Sequence, residues 1–184
     1  EPDRAALIAA LPRFFQRSSD PSAALTLIEQ ALQPYANAPA TRTAVRTAIG
    51  RASLAAGDSK RALALATEAH ADEPAAPGPV LLALELMPRQ PEAEAIVVSH
   101  LRRPETEPAM RLAYVRALTQ GQRYADAITQ LETATRQQPE LPAPWLTLGA
   151  LHLELRHASQ AEAALLRYVQ LAPHGGAPES TDGA

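Results

Sequence analysis

Residues 116–140, RALTQGQRYADAITQLETATRQQPE, and residues 151–173, LHLELRHASQAEAALLRYVQLAP, are two versions of one pattern. Ala127 stands 34 positions before Ala161, Leu131 before Leu165 and Pro139 before Pro173. Each stretch reads as the end of one helix, a short polar turn and an Ala-rich second helix closed by Pro. Proline in a helix interior costs about 3 kcal/mol, so the prolines mark joints. Pro74 and Pro108 are also 34 apart. A period of this size signals a solenoid, in which each helix hairpin buries its apolar face only by stacking on its neighbours.

The same pattern extends outward. RASLAAGDSKRALALATEAHADEP (51–74) repeats it, with Ala62, Ala66 and Ala69 at the second-helix positions, and Ile49-Gly50 matches Leu148-Gly149. The stretch 77–104 is a shorter version, turning at Pro88 to Pro91, and 4–34 another, with Asp20 as N-cap and Pro21 in the first turn of its second helix. The expectation is an all-α chain of about five hairpins, over 3–34, 40–73, 78–103, 107–138 and 142–172. These form one repeat domain, 1–172, followed by a polar, Gly/Pro-rich tail at 173–184 that cannot pack.

Composition agrees with helices. Of 184 residues 46% are apolar, mostly Ala and Leu, while aromatics are only 4%, which is poor in the residue types strands favour. The net charge of −3 opposes a nucleic-acid scaffold, which needs a basic face. Arg in place of nearly all Lys, with abundant Ala and Pro, points to a GC-rich bacterial genome. Cysteine is absent, which removes disulfides, thiolate nucleophiles and Cys-ligated zinc. No run of 18 apolar residues spans a membrane. The chain opens on Glu1 and reads as a segment of a longer parent.

Residues 144–154, PWLTLGALHLE, hold the one Trp, a Gly in mid-helix and His152. Together with Ala161, Leu165 and Pro173 they resemble the tetratricopeptide repeat (TPR) family. Its units carry Trp, Leu-Gly and an aromatic on the first helix, and Ala, a bulky residue, Ala and Pro on the second. His152 departs from the family's Tyr and Tyr168 from its Ala. Gly149 and Ala161 are then expected where two helices approach closely, with Trp145 as a wedge between units. The resemblance implies a right-handed superhelical solenoid whose first helices line a concave groove. The inward positions it implies are Arg13 in the first unit, Arg51 and Leu54 in the second, Leu112 and Arg116 in the fourth, and Leu146 and Leu153 in the fifth. Such a groove, apolar with interspersed Arg, suits an extended peptide or partner helix that carries carboxylates. The family's Lys/Asn carboxylate clamp is missing, since Thr47, Arg51, Ala113 and Ala143 stand in its place.

Catalysis is not expected. The carboxylates are scattered, no phosphate-cradling Gly loop occurs, and no metal-binding His-Glu-x-x-His spacing is present. His152 and His157, five apart, fall on different faces of a helix or across a turn; His152 is expected to pack where the family has Tyr, and His70, His100 and His157 to lie on the surface near helix ends. No cofactor and no metal are anticipated. The expected function is a protein-interaction adaptor or scaffold, with a helical-repeat RNA-binding module as the alternative. The stretches AIGRASLAAGDSKRALALA and RLAYVRALTQGQRYADAI resemble bacterial periplasmic and outer-membrane TPR lipoprotein adaptors, which implies a periplasmic or outer-membrane-associated location, a cytoplasmic adaptor being the competitor. The last helix, rich in Leu165, Leu166, Tyr168, Val169 and Leu171, has more apolar surface than one partner helix covers, so either more repeats follow in the parent or this edge docks another copy or another protein; truncation together with self-association through this edge is the expectation.

Overall fold

A computed structural model describes residues 20–172. Among the described residues there are nine α-helices, two short 3-10 turns and no strand. Arg13 and the first half of the 3–34 hairpin lie outside them, as does the 173–184 tail. Contacts divide the chain into two compact units, one ending at Ala117 and the other starting at Leu118.

The first unit holds α1 (Pro21–Leu32), α2 (Pro39–Ala55), α3 (Ser59–Asp72), α4 (Pro77–Leu86), α5 (Glu94–Leu101) and the beginning of α6 (Pro108–Gln120). The second holds α7 (Tyr124–Gln137), α8 (Pro142–Glu154) and α9 (Ala158–Leu171). Five of these helices, α1, α2, α4, α6 and α8, start on a proline, where the missing N–H costs nothing and the fixed φ suits the first turn. Asp20 caps α1, its carboxylate accepting from the Ser22 and Ala23 N–H groups at 3.0 Å each. Asp58 caps α3 through the Arg61 N–H at 2.9 Å.

Packing in the first unit runs between chain neighbours, α1 on α2, α2 on α3, α3 on α4 and α4 on α5, with α2 also touching α4. Its core is made by Ile28, Leu32, Val45, Ala48 and Ala52, and continues through Ala62, Ala66, Ala69, Val80, Leu82, Leu86 and Val97, all buried. Ion pairs lace the exposed flank. Arg46 pairs with Asp72, Arg42 reaches Asp72 at 3.2 Å, Arg46 reaches Glu68 at 3.2 Å, and Arg61 binds Glu29.

In the second unit α8 packs on both α7 and α9, burying Ala127, Leu131, Leu148, Leu151, Ala161 and Ala164. Gly149 is where α8 meets α9. A Cβ there would stand 2.6 Å from Leu165 Cγ and 2.7 Å from its Cδ2. Gly50 plays the same part in α2, with Leu82 Cδ2 at 2.6 Å and the Ala62 carbonyl at 3.6 Å. The mid-helix glycines are thus contact positions. Trp145 is half-buried, and its indole N–H donates to the Pro139 carbonyl at 2.9 Å, tying the start of α8 to the turn that leads into it.

Three turns share one geometry. After α2 the Asp58 N–H bonds the Ser53 carbonyl at 2.9 Å, after α6 Arg123 bonds Leu118 at 2.8 Å, and after α8 His157 bonds His152 at 2.8 Å. The residue before each donor has positive φ: Gly57 at 90°, Gln122 at 58° and Arg156 at 60°. This is the Schellman C-cap, in which the chain leaves the helix through one left-handed residue.

Candidate functional site

The residues expected to line a groove are placed by the first helix of each hairpin. On α2, Arg51 and Leu54 are three apart and so share a face. Arg51 is not held out to solvent. Its guanidinium lies 3.6 Å from the Glu85 carboxylate on α4, and its side chain is 16% exposed. Arg51 and Glu85 are 34 positions apart, which puts them at equivalent places on consecutive first helices. That spacing was the readable signal of the pair.

On α6, Leu112 and Arg116 are four apart and share a face; Leu112 is half-buried and Arg116 exposed. On α8, Leu146 and Leu153 are 42% and 57% exposed. Two helical turns separate them, so they form one stripe, with the exposed Ala150 between them. Arg13 lies outside the described residues.

Of the histidines, His152 is packed and His157 exposed as expected, while His100 departs from the expectation. His100 is buried, not on the surface, and its Nδ1–H donates to the Pro74 carbonyl at 3.0 Å. His70 faces it with ring centroids 6.5 Å apart. Burial, then the neighbouring His100 and Arg103 charges, push the His70 pKa below the ordinary histidine value. His70 Nε2 lies 3.3 Å from Ser99 Oγ, the geometry of a base beside a hydroxyl, but the buried His70 Nδ1 has no hydrogen-bond partner. No carboxylate therefore orients that ring as a catalytic triad requires.

His152 is buried and His157 exposed, and the Schellman turn brings their rings together, tilted by 50°, with Nδ1 to Nδ1 at 3.3 Å. Burial and His157 lower the His152 pKa, while the Glu132 carboxylate opposes them. Among the described residues no three His, Asp or Glu side chains gather as a metal centre. A cavity of about 180 Å³ lies beside Pro77, His100, Arg103, Thr106 and Met110, small beside the roughly 300–1,000 Å³ of ordinary ligand pockets. No described helix is long and apolar enough to cross a membrane.

No protein-family model matches the chain, and no curated protein matches it in sequence. Solved structures do match. PilF of Pseudomonas aeruginosa superposes over 92% of this chain and 77% of its own at 14% identity, with a TM-score of 0.57. MamA of Desulfovibrio magneticus RS-1 covers 92% of this chain and 95% of its own at 15% identity, with a TM-score of 0.54. YrrB, a TPR protein with an unusual peptide-binding site, covers 93% and 84% at 16% identity, also with a TM-score of 0.54. The likeness at such identities is one of fold, and the fold is that of a tetratricopeptide repeat protein.

Proposed function

We propose that the chain is a non-enzymatic interaction module that takes a peptide or partner helix on the exposed faces of its first helices. The carrying observation is the Leu146/Leu153 stripe on α8. Burying two half-exposed leucines against a partner is worth roughly 1–2 kcal/mol each, enough to anchor a segment whose remaining contacts are polar. YrrB, a peptide-binding protein of the same fold, supports this reading. Arg51, on α2, contributes a cation only where a ligand carboxylate displaces Glu85. The acidic balance of the chain supports a protein ligand over RNA.

The test is capture from a bacterial lysate with wild type beside Leu146→Glu/Leu153→Glu. Both leucines project into solvent, so this variant keeps its melting temperature and loses the proteins that wild type retains. Identical recoveries from the two would reject the stripe as the binding surface.

The resemblance to lipoprotein adaptors supports a periplasmic or outer-membrane-associated setting over a cytoplasmic one, and a cysteine-free sequence is compatible with either. Leu166 and Val169 on α9 are 56% and 63% exposed. A second copy of the chain is the occupant that this edge suits.

A further inference from the structure

We infer that His152 and His157 form a chelating site for a divalent transition-metal ion of the imidazole-preferring class, zinc or copper, bound through the two Nδ1 atoms. The geometry comes from the backbone. In a Schellman turn the third-last residue of the helix and the second residue beyond its C-cap are hydrogen-bonded to each other. Here those two residues are His152 and His157, with the His157 N–H on the His152 carbonyl at 2.8 Å. The equivalent turns carry Ser53 with Asp58 and Leu118 with Arg123. Of these three pairings, the last alone sets two imidazoles side by side.

The Nδ1 atoms are 3.3 Å apart. Two imidazole nitrogens on a tetrahedral zinc, each about 2.0–2.1 Å from the metal, are themselves about 3.3–3.4 Å apart. The spacing therefore already matches the bite of one ion, which seats itself after a small rotation of the rings. Without metal, one Nδ1–H donates to the other Nδ1. On binding, that proton moves to Nε2 of the same ring, both Nδ1 lone pairs face the ion, and no net proton is released from the neutral pair. His157 is exposed, so water has access to the remaining coordination positions. Glu132, whose carboxylate acts on His152, supplies negative field; Arg156, exposed in the same turn, opposes it. Two ligands and an open shell make a labile site, unlike a closed structural zinc centre.

The experiment is calorimetric titration of the tag-free chain with zinc chloride at pH 7.5, in a His174→Ala background so that the tail histidine supplies no ligand. The comparisons are His157→Asn, His152→Phe and the control His70→Asn. One ion per chain is expected, with affinity lowered at least ~10-fold in each of the first two variants and unchanged in the third. Copper(II) gives an independent readout. Trp145 lies seven residues before His152 on α8, roughly 10 Å along the helix axis, so copper should quench its fluorescence in wild type and not in His157→Asn. Equal zinc affinity in wild type and His157→Asn, or no binding heat at millimolar zinc, would overturn the assignment.

Discussion

Arg156 and Gln122 hold φ of 60° and 58°, a region that costs an L residue about 1–2 kcal/mol. The equivalent turn residue of the earlier hairpin is Gly57, at φ 90°, with open space for 4 Å around the place a Cβ would take. Arg156→Gly removes the strain and returns part of the gain as unfolded-chain entropy, so a net stabilisation of about 0.5–1 kcal/mol is expected. A lowered melting temperature would show that the Arg156 side chain contributes more than its backbone costs. The reverse substitution behaves in the opposite sense. Gly149→Ala gains about 1 kcal/mol of helix propensity, but its new Cβ meets Leu165 at the branch atom Cγ, which cannot swing aside. Overpacking of about 1–3 kcal/mol should win, and denaturant unfolding should show a net loss. At Gly50 the obstacle is Leu82 Cδ2, a terminal methyl, so Gly50→Ala should lose less than Gly149→Ala.

The hairpin α8–α9 and its turn carry the pH response. Unfolded, His152 takes up a proton near the ordinary value of 6.5; folded, burial and His157 hold its pKa lower, against the pull of Glu132. The folded state therefore binds fewer protons in the window between the two values. Stability contributed by this group is complete above about pH 6.5 and is lost as pH falls through that window. His70, lowered by burial, His100 and Arg103, acts in the same direction in the first unit. The urea midpoint should thus fall between pH 7.5 and 5.5, and fall less in His157→Asn, which removes the like charge facing His152; equal falls would remove the ring pair as the cause. The hairpins themselves were readable because proline and period are local signals: Pro21, Pro39, Pro77, Pro108 and Pro142 all open helices. The histidine pair was not, because five-residue spacing places two side chains apart on a helix and together only when a left-handed residue intervenes. No glycine at 156 announced that turn.

At the scale of the molecule, a repeat sequence reveals its fold well and its ligand poorly. The Leu-Gly and Ala positions are dictated by helix contacts that recur every 34 residues, so the all-α repeat architecture was legible in Gly50, Gly149, Ala127 and Ala161. Groove residues obey a weaker rule, since their partners belong to other repeats. Arg51 looked available because its partner, Glu85 on α4, lies a full repeat away and only the 34-residue spacing connects the two. The edge of the array follows the stronger rule again. An apolar outer face on a helix calls for a partner to cover it, and α9 presents Leu166 and Val169. Sedimentation velocity across a range of concentrations should then show a monomer giving way to a larger species. Leu166→Glu/Val169→Glu should hold the chain monomeric at every concentration without lowering its melting temperature, because both side chains already face water in the single chain. It should also leave capture on the α8 stripe intact, since Leu146 and Leu153 are on a different helix. Loss of capture together with loss of self-association would mean that the partner binds the assembled form, and a wild type that stays monomeric throughout would remove the edge as an interface.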